Sequence, residues 1–344
     1  MLWHNVEAWH AAPPTKINKK MNKPLIFLAL FFAVACTQKQ PHFVRFSGEA
    51  LGTYYAVSYY DINGKNYQTE IDSVLNAFLF VASLHEPKSE INAVNNNEGI
   101  VLSPMFQDIF NKAVSISEIS DGAFDFTIGP LVRAYGFWNQ AREEITDEKI
   151  AEYLKLVDFR GVQLVDGKII KQNPGIKFDF NAIAKGYVVD LVGKFLEEKG
   201  VEAYLIDIGG EVLGKGRKSD GGCWRVGIEK PSETAGSDRD VLTSLNLCNA
   251  ALATSGSYRK YYKKNGKRYS HTIDPKTGKS VEHSLLSVTV RDSETWRADA
   301  IATAMMVLGV EKSLKLLEKL PGVEAFFVSA GDDGVFVTTK SAGF

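Results

Sequence analysis

The spacing of apolar residues changes repeatedly along the chain between a period of two and a period near 3.6, which indicates short strands alternating with amphipathic helices. The pattern predicts a hairpin over residues 43–60 and strands over 176–180, 202–208, 224–228, 242–247 and 286–291. It predicts helices over 67–80, 105–120, 182–199, 297–308 and 310–320. Asn265-Gly266 is a strong two-residue hairpin signal. With no internal repeat and no Pro/Ser-rich linker, residues 43–344 are expected to form one α+β domain with two lobes.

The segment before this domain is typical of an export signal. A basic start at Met21 is followed by eleven apolar residues, 25–35, and then by Cys36. Eleven residues are too few to cross a hydrocarbon layer of ~30 Å, which needs about twenty, but they suit the apolar core of a secretory signal. The ending Ala-Val-Ala-Cys resembles a bacterial lipobox, in which Cys36 becomes the lipidated N-terminus. The alternative is an ordinary cleaved signal with an incidental cysteine.

These features divide the chain into four parts. Residues 1–20 are expected to be a non-native upstream extension, 21–35 the lipoprotein signal peptide, 36–42 a tether and 43–344 the folded domain. The protein is therefore expected to be exported and anchored in a bacterial membrane, facing the periplasm.

Composition and charge exclude several classes of protein. The chain has 344 residues, 45% of them hydrophobic, with 40 Lys and Arg against 41 Asp and Glu and only 3 Cys. This composition argues against disorder, a disulfide scaffold and a general nucleic-acid binder. If Cys36 carries lipid, Cys223 and Cys248 remain as one possible disulfide, which the sequence leaves open.

The stretch from Lys177 to Tyr187 predicts an anion site. A strand ends there, Asn181 can cap, and the following helix presents free N–H groups and the positive end of its dipole. Lys185 lies in the first turn of that helix, against the dipole, as expected if an anion lies between them. The alternative is a lysine that extends into solvent.

A second pair of residues suits a hard cation. Asp299 and Thr303 are four residues apart on a helix of small and apolar residues, so their oxygens share a face. Such oxygens suit Mg²⁺, which keeps positions open for phosphate. Alternatively, Asp299 complements the helix dipole and Thr303 bonds to its own helix.

The third element is the stretch from Ser270 to Gly278. His271 is followed by the rigid Asp274-Pro275 turn, so its side chain would have a fixed position from which to approach a substrate. The alternative is a structural role, which is more common for a lone histidine. Six basic residues and four tyrosines lie between 258 and 272. They indicate a solvated rim or attraction of a phosphate-bearing substrate, and nucleic acid is not an expected partner.

Taken in order, the motifs over residues 46–344 resemble the ApbE family, the FAD:protein FMN transferases. The segments that carry the resemblance are GEALGTYYAVSY, SLHEPKSEIN, SDGAFDFTIGPLVRAYGFW, KFDFNAIAKGYVVD, LIDIGGEVLGKG, WRVGIEKP, ATSGSY, HTIDPKTGK and ADAIATAMMVLG. The resemblance implies one α+β domain of two lobes, with mixed or antiparallel sheets, flanking helices and an FAD cleft between the lobes. It also implies Mg²⁺ at the FAD pyrophosphate, transfer of FMN to a Thr or Ser hydroxyl, and release of AMP.

The resemblance carries roles to individual residues. It assigns the metal to the backbone oxygen of Ala182 and to Asp299 and Thr303. It assigns FAD contacts to Leu51, His85, Ala123, Phe124, Asp125, Asp179, Lys185 and Ile273. Leu51 stands where the family usually has Met, and His85 where it usually has an aromatic residue, so the stacking of the flavin ring is expected to differ. His271 is the candidate general base.

The expected partners are FAD and an acceptor flavoprotein with a segment of the type Asp-Gly-x-(Ser/Thr)-Gly-Ala-(Ser/Thr), which the resemblance places in a membrane redox complex. Two alternative functions use the same site. An FAD pyrophosphatase would replace the acceptor hydroxyl by water and give FMN and AMP. A carrier would bind FAD without chemistry.

Overall fold

The framework of the protein is an eight-stranded sheet in which every neighbouring pair of strands is antiparallel. The computed structural model describes residues 40–136, 145–231, 240–257, 261–264, 267–270, 272–331 and 335–344, with the backbone alone for 261–264 and 267–270. The strands are β1 (His42–Ala50), β2 (Thr53–Asp61), β3 (Val162–Val165), β4 (Lys168–Lys171), β5 (Tyr204–Ile208), β6 (Glu211–Lys215), β7 (Trp224–Glu229), β8 (Val241–Leu247), β9 (Ala250–Gly256), β10 (Tyr261–Lys264), β11 (Lys267–Ser270), β12 (Leu285–Asp292), β13 (Glu324–Ala330) and β14 (Phe336–Lys340). The large sheet has the order β1-β2-β5-β6-β9-β12-β13-β14, and the other six strands form three separate hairpins.

Seven helices accompany these strands in the described residues. They are α1 (Gln68–Ala82), α2 (Glu90–Asn95), α3 (Pro104–Ile119), α4 (Gly129–Ala134), α5 (Asp147–Leu154), α6 (Asn181–Glu198) and α7 (Thr295–Leu317). Residues 40–344 form one compact unit. None of the helices in the described residues is long and apolar enough to cross a membrane.

Helices α6 and α7 pack against each other, and both contact the central strands of the large sheet. Val188 and Val192 of α6 and Ile301 and Met305 of α7 are fully buried in the main core. Gly309 interrupts α7 with φ 72° and ψ 176°, as the predicted boundary between helices 297–308 and 310–320 requires. The two helices that carry the predicted phosphate and metal residues are therefore held side by side on the sheet.

The other side of the central strands carries a smaller apolar cluster around Trp224 and Leu247. These residues belong to the β7–β8 hairpin, in which they face each other across the ladder. The next residues outward, Cys223 and Cys248, form a disulfide with their Cα atoms 5.1 Å apart. The pairing that the sequence left open is therefore present.

The predicted α+β class is confirmed, as are the hairpin at 43–60 and the hairpin around Asn265-Gly266, whose strands pair Lys264 with Lys267. The predicted strand at 176–180 is wrong. Only Lys177 makes an isolated bridge, to Ile128. At Phe178 the backbone groups bind a side chain instead of a neighbouring strand. The amide of Asn95 accepts a hydrogen bond from Phe178 N (2.6 Å) and donates one to Phe178 O (3.0 Å).

Candidate functional site

The centre of the candidate site is the close approach of α6 and α7 at Gly186. A Cβ atom at this position would lie 2.4 Å from the carbonyl oxygen of Thr295 and 2.8 Å from Cβ of Asp299, so a side chain has no room. The Gly186 N–H donates to Oδ2 of Asp299 over 2.9 Å. The absence of a side chain at Gly186 therefore lets Asp299 reach the helical turn that contains Ala182 and Lys185.

A second contact between the helices fixes the start of α7. Asp190 of α6 accepts hydrogen bonds from the N–H groups of Thr295 (3.0 Å) and Trp296 (2.8 Å), so a side chain of the neighbouring helix satisfies donors in the first turn of α7. Burial raises the pKa of Asp190 to about 6, although these hydrogen bonds act in the opposite direction. Asp190 and Gly186 together set where Asp299 lies.

Lys185 is held by a carboxylate that the sequence analysis did not assign. Its Nζ lies 2.5 Å from Oε1 of Glu211, whose side chain is only 3% exposed. Burial alone would lower the pKa of Lys185, but the carboxylates of Asp299 and Glu211 outweigh it and raise that pKa. The predicted solvent-exposed alternative for Lys185 is therefore wrong: about a third of the side chain is exposed, and its ammonium group is paired with a buried acid.

Glu211 and Asp299 place two buried carboxyl groups beside the single ammonium group of Lys185. Burial raises the pKa of both carboxyls, in each case against the attraction of Lys185. Oε2 of Glu211 is buried and has no hydrogen-bond partner among the described residues. An acid immediately after the Gly209-Gly210 turn, at the start of a strand with four buried positions, is the sequence signal that could have identified Glu211.

The predicted metal ligands fit a hard cation by their chemistry. A backbone carbonyl, a carboxylate and a hydroxyl are the oxygen donors that Mg²⁺ prefers, and two carboxyl groups beside one ammonium group favour a cation when both are ionised. The Gly186 N–H that binds Asp299 is also the regular helical partner of the Ala182 carbonyl. Thr303 lies one turn after Asp299, and its hydroxyl is 3.2 Å from that of Ser255 on β9. The described residues contain no group of three or more His, Cys, Asp or Glu side chains that could hold a metal. The predicted ligand set differs from such a group because Asp299 is its only residue of these types.

Asp179 lies at the start of α6 and connects it to the 123–128 segment. Its N–H donates to Phe126 O over 2.7 Å, and its Oδ1 accepts a hydrogen bond from Asn181 N over 2.7 Å. The prediction that Asn181 caps the helix is wrong, because Phe180 is the N-cap residue and makes no side-chain cap. The side chain of Asp179 stabilises this turn instead.

Ala123, Phe124 and Asp125 are all buried. The first two belong to the main hydrophobic core, so a ligand at this segment would meet mainly its backbone. Oδ1 of Asp125 accepts hydrogen bonds from Thr127 N (2.8 Å) and Thr127 Oγ1 (2.6 Å), while burial raises the pKa of its carboxyl. The side chain of Asp125 thus stabilises a turn next to Phe126, the residue that binds Asp179.

The third predicted element packs on the same segment. Ile273 is buried in a cluster with Leu131 and Tyr135, and the Tyr135 hydroxyl donates to Gly278 O over 2.9 Å. Lys276 adds an exposed ion pair with Asp121 at 2.7 Å. Ile273 thereby packs on α4, which follows the predicted nucleotide segment in the chain, whereas His271 lies outside the described residues.

The two residues that depart from the family pattern occupy different settings. Leu51 has φ 54° in the two-residue turn between β1 and β2, a left-handed conformation that costs a branched residue about 1–2 kcal/mol. This turn adjoins the β5–β6 turn, because Gly209 N donates to Tyr54 O. His85 is exposed and lines a pocket together with Arg133 and Lys177. No hydrogen bond or ion pair joins His85 to Lys185 or Asp299 in the part of the chain that the structure describes.

Comparison with known proteins gives consistent matches over most of the chain. The model of the ApbE family matches residues 51–327. The FAD:protein FMN transferase of Haemophilus influenzae is 34% identical over 341 residues, which cover 95% of this chain and 97% of that protein. The FAD:protein FMN transferase of Vibrio cholerae is 34% identical over 323 residues, with 91% and 96% covered.

Solved structures agree with these sequence matches. The flavin transferase ApbE from Vibrio cholerae superposes with a TM-score of 0.78 at 33% identity, covering 88% of this chain and 98% of that one. The apo form of the Pseudomonas stutzeri flavinyl transferase ApbE gives a TM-score of 0.80 at 35% identity, covering 89% and 96%.

Proposed function

The chain belongs to the ApbE family, and on that basis we propose that it is an FAD:protein FMN transferase that modifies a Thr or Ser hydroxyl of an acceptor flavoprotein. The observation that carries the proposal is the close contact between α6 and α7 at Gly186, which places Asp299 beside Lys185 and the first turns of α6. Lysine beside a helix N-terminus suits the diphosphate of FAD. The oxygen donors beside it suit a divalent cation.

The proposed reaction is a phosphoryl transfer without redox change. The acceptor hydroxyl oxygen forms a bond to the FMN phosphorus, and the bond from that phosphorus to the bridging oxygen of FAD breaks. The hydroxyl proton passes to a base, and AMP leaves with the bridging oxygen. The product is a phosphoester between FMN and the acceptor.

The protein's own groups would act by position and charge, which dominate phosphoryl transfer. Lys185 binds diphosphate oxygens and, with the positive end of the α6 dipole, stabilises the negative charge that grows on AMP. Ala182, Asp299 and Thr303 would hold Mg²⁺, which supplies further neutralisation of the diphosphate. The 123–125 segment and Ile273 border the nucleotide, and the side chain of Asp179 lies at the same helix start.

His271 is proposed as the group that receives the hydroxyl proton. A neutral imidazole accepts a proton near pH 7, and general-base assistance contributes roughly 10²–10⁴-fold to the rate. The sequence position of His271, two residues before Ile273, supports this role.

We also propose that the protein works as a lipoprotein anchored through Cys36 and facing the periplasm. The leader over residues 21–35 supports this proposal, as does the disulfide between Cys223 and Cys248, since disulfides persist in oxidising compartments. Labelling with a radioactive fatty acid in wild-type cells and in a Cys36→Ala strain tests the anchor. A Cys36→Ala protein that still takes up label would contradict it.

The function itself is tested by incubating the protein with FAD and Mg²⁺, with and without an acceptor that carries the Asp-Gly-x-(Ser/Thr)-Gly-Ala-(Ser/Thr) segment. We expect the acceptor to gain the mass of one FMN, and the matched acceptor with Val at the target position to gain none. Free FMN that accumulates equally in the absence of acceptor would identify an FAD pyrophosphatase. Bound FAD without any product would identify a carrier.

A further inference from the structure

Glu211 is a buried acid at the centre of the site to which no role has been assigned. It opens β6 directly after the Gly209-Gly210 turn, and its side chain is 3% exposed. One carboxylate oxygen lies 2.5 Å from the ammonium of Lys185, and the other is buried with no partner among the described residues. A buried oxygen without a partner in a native structure points to an additional ligand.

The charges around Lys185 do not balance within the described residues once both neighbouring carboxyls are ionised. The ammonium group of Lys185 faces two buried carboxyl groups, those of Glu211 and Asp299, and the charge of each raises the pKa of Lys185. When both carboxyls are ionised, the trio carries one net negative charge. That charge repels a free diphosphate and attracts a divalent cation, and the effect is large because burial weakens solvent screening.

We propose that Glu211 is a specificity-determining residue that makes diphosphate binding at Lys185 conditional on a bound divalent cation. The inference rests on the proposed function of this site as a binding site for FAD and a cation. Without a cation, the ionised carboxylate of Glu211 offsets the attraction of Lys185 for the diphosphate. When a cation is bound, the excess negative charge is neutralised and Lys185 and the start of α6 bind the phosphates.

A purely structural role for Glu211 makes a different prediction. If Glu211 only held Lys185 in place, its replacement would loosen the site and weaken the binding of FAD and of the cation alike. Removal of a selective charge instead changes the two affinities in opposite directions. The sign of each change therefore separates the two roles.

The experiment compares Glu211→Gln with the wild type in two binding assays. The first measures FAD binding in excess EDTA by quenching of flavin fluorescence, and the second measures Mn²⁺ binding without FAD by electron paramagnetic resonance. We expect the variant to bind cation-free FAD on the order of tenfold more tightly, and Mn²⁺ on the order of tenfold more weakly. The matched control is Glu197→Gln, which removes the same charge from an exposed pair with Lys215 and should change neither affinity.

Each outcome bears on the proposal. Opposite changes in the two affinities support it, whereas weakening of both or a change in neither overturns it. If circular dichroism shows that Glu211→Gln is unfolded, Glu211→Asp decides, because it keeps the charge. A folded Glu211→Asp variant that retains weak cation-free FAD binding and wild-type Mn²⁺ affinity supports the proposal, and one that loses both overturns it. Neither assay measures transfer, so a wild type that binds FAD and Mn²⁺ but does not modify an acceptor contradicts the proposed function and leaves this inference intact.

Discussion

A methyl group added at Gly186 should separate the two helices that form the site. In Gly186→Ala the new Cβ would lie 2.4 Å from the carbonyl oxygen and 2.7 Å from the carbonyl carbon of Thr295. Both atoms are backbone, so α7 has to move as a unit. Overpacking of this kind costs about 1–3 kcal/mol, and the better helix propensity of alanine recovers up to about 1 kcal/mol. We expect the clash to dominate and the free energy of unfolding to fall.

Gly193→Ala is the matched control, because it makes the same change two turns later in the same helix. A Cβ there would meet Cδ2 of Leu213 and the hydroxyl of Tyr204, both at 2.9 Å, and both are side-chain atoms that can shift without moving the backbone of α7. The gain in helix propensity is the same in both variants. The difference between their free energies of unfolding therefore compares displacement of the α7 backbone with displacement of two side-chain ends.

Urea denaturation followed by circular dichroism measures the effect. The denaturation midpoint of Gly186→Ala should lie below that of Gly193→Ala, with equal slopes. Because the Gly186 N–H binds Asp299, the same variant should also bind Mn²⁺ more weakly, while Gly193→Ala should not. A Gly186→Ala protein with the wild-type midpoint and wild-type Mn²⁺ affinity would refute the argument that this glycine sets the distance between the helices.

Three further predictions concern single side chains. Asp299→Ala should abolish the stimulation of FMN transfer by Mg²⁺ and most of the activity, and transfer that still responds to Mg²⁺ would contradict the ligand assignment. His271→Ala should slow transfer roughly 10²–10⁴-fold while FAD affinity, measured by fluorescence, stays unchanged; wild-type turnover would remove it from the mechanism. Because burial raises the pKa of Asp190 above its ordinary value to about 6, its contribution to stability is greatest at low pH and is lost as the pH rises through 6. Urea midpoints of Asp190→Asn measured between pH 4.5 and 7 should lack this loss, and parallel profiles for the two proteins would contradict it.

Helices that end at a glycine could be predicted from the sequence, because such an end signal is local. Gly200, with φ +79°, follows α6 as predicted. The failure at 176–180 has a tertiary cause: this stretch alternates like a strand, but the pairing groups of Phe178 are satisfied by Asn95, which is 83 residues away. No local pattern shows that a side chain replaces a neighbouring strand.

Strands β6 and β9 lie at the centre of the large sheet but were not predicted. β9 consists mostly of small residues with low strand propensity and is formed by pairing with β6 and β12 on either side. β6 begins with Glu211, an acid that sequence patterns place on a surface. Both failures lie next to the site, where close approach of α7 and the charge of Lys185 override local preference.

The small residues of the two motifs that identify the family are explained by this packing. Ala298, Ala300 and Ala302 of α7 are fully buried, and Gly186 of α6 has no room for a side chain. The absence of a side chain at Gly186 allows the two helices to approach closely at Thr295 and Asp299, and the approach brings Asp299 to the turn that carries Lys185. The charged residues of the site therefore depend on the small ones for their positions, and a substitution that enlarges a small residue should impair cation binding as effectively as removal of a ligand.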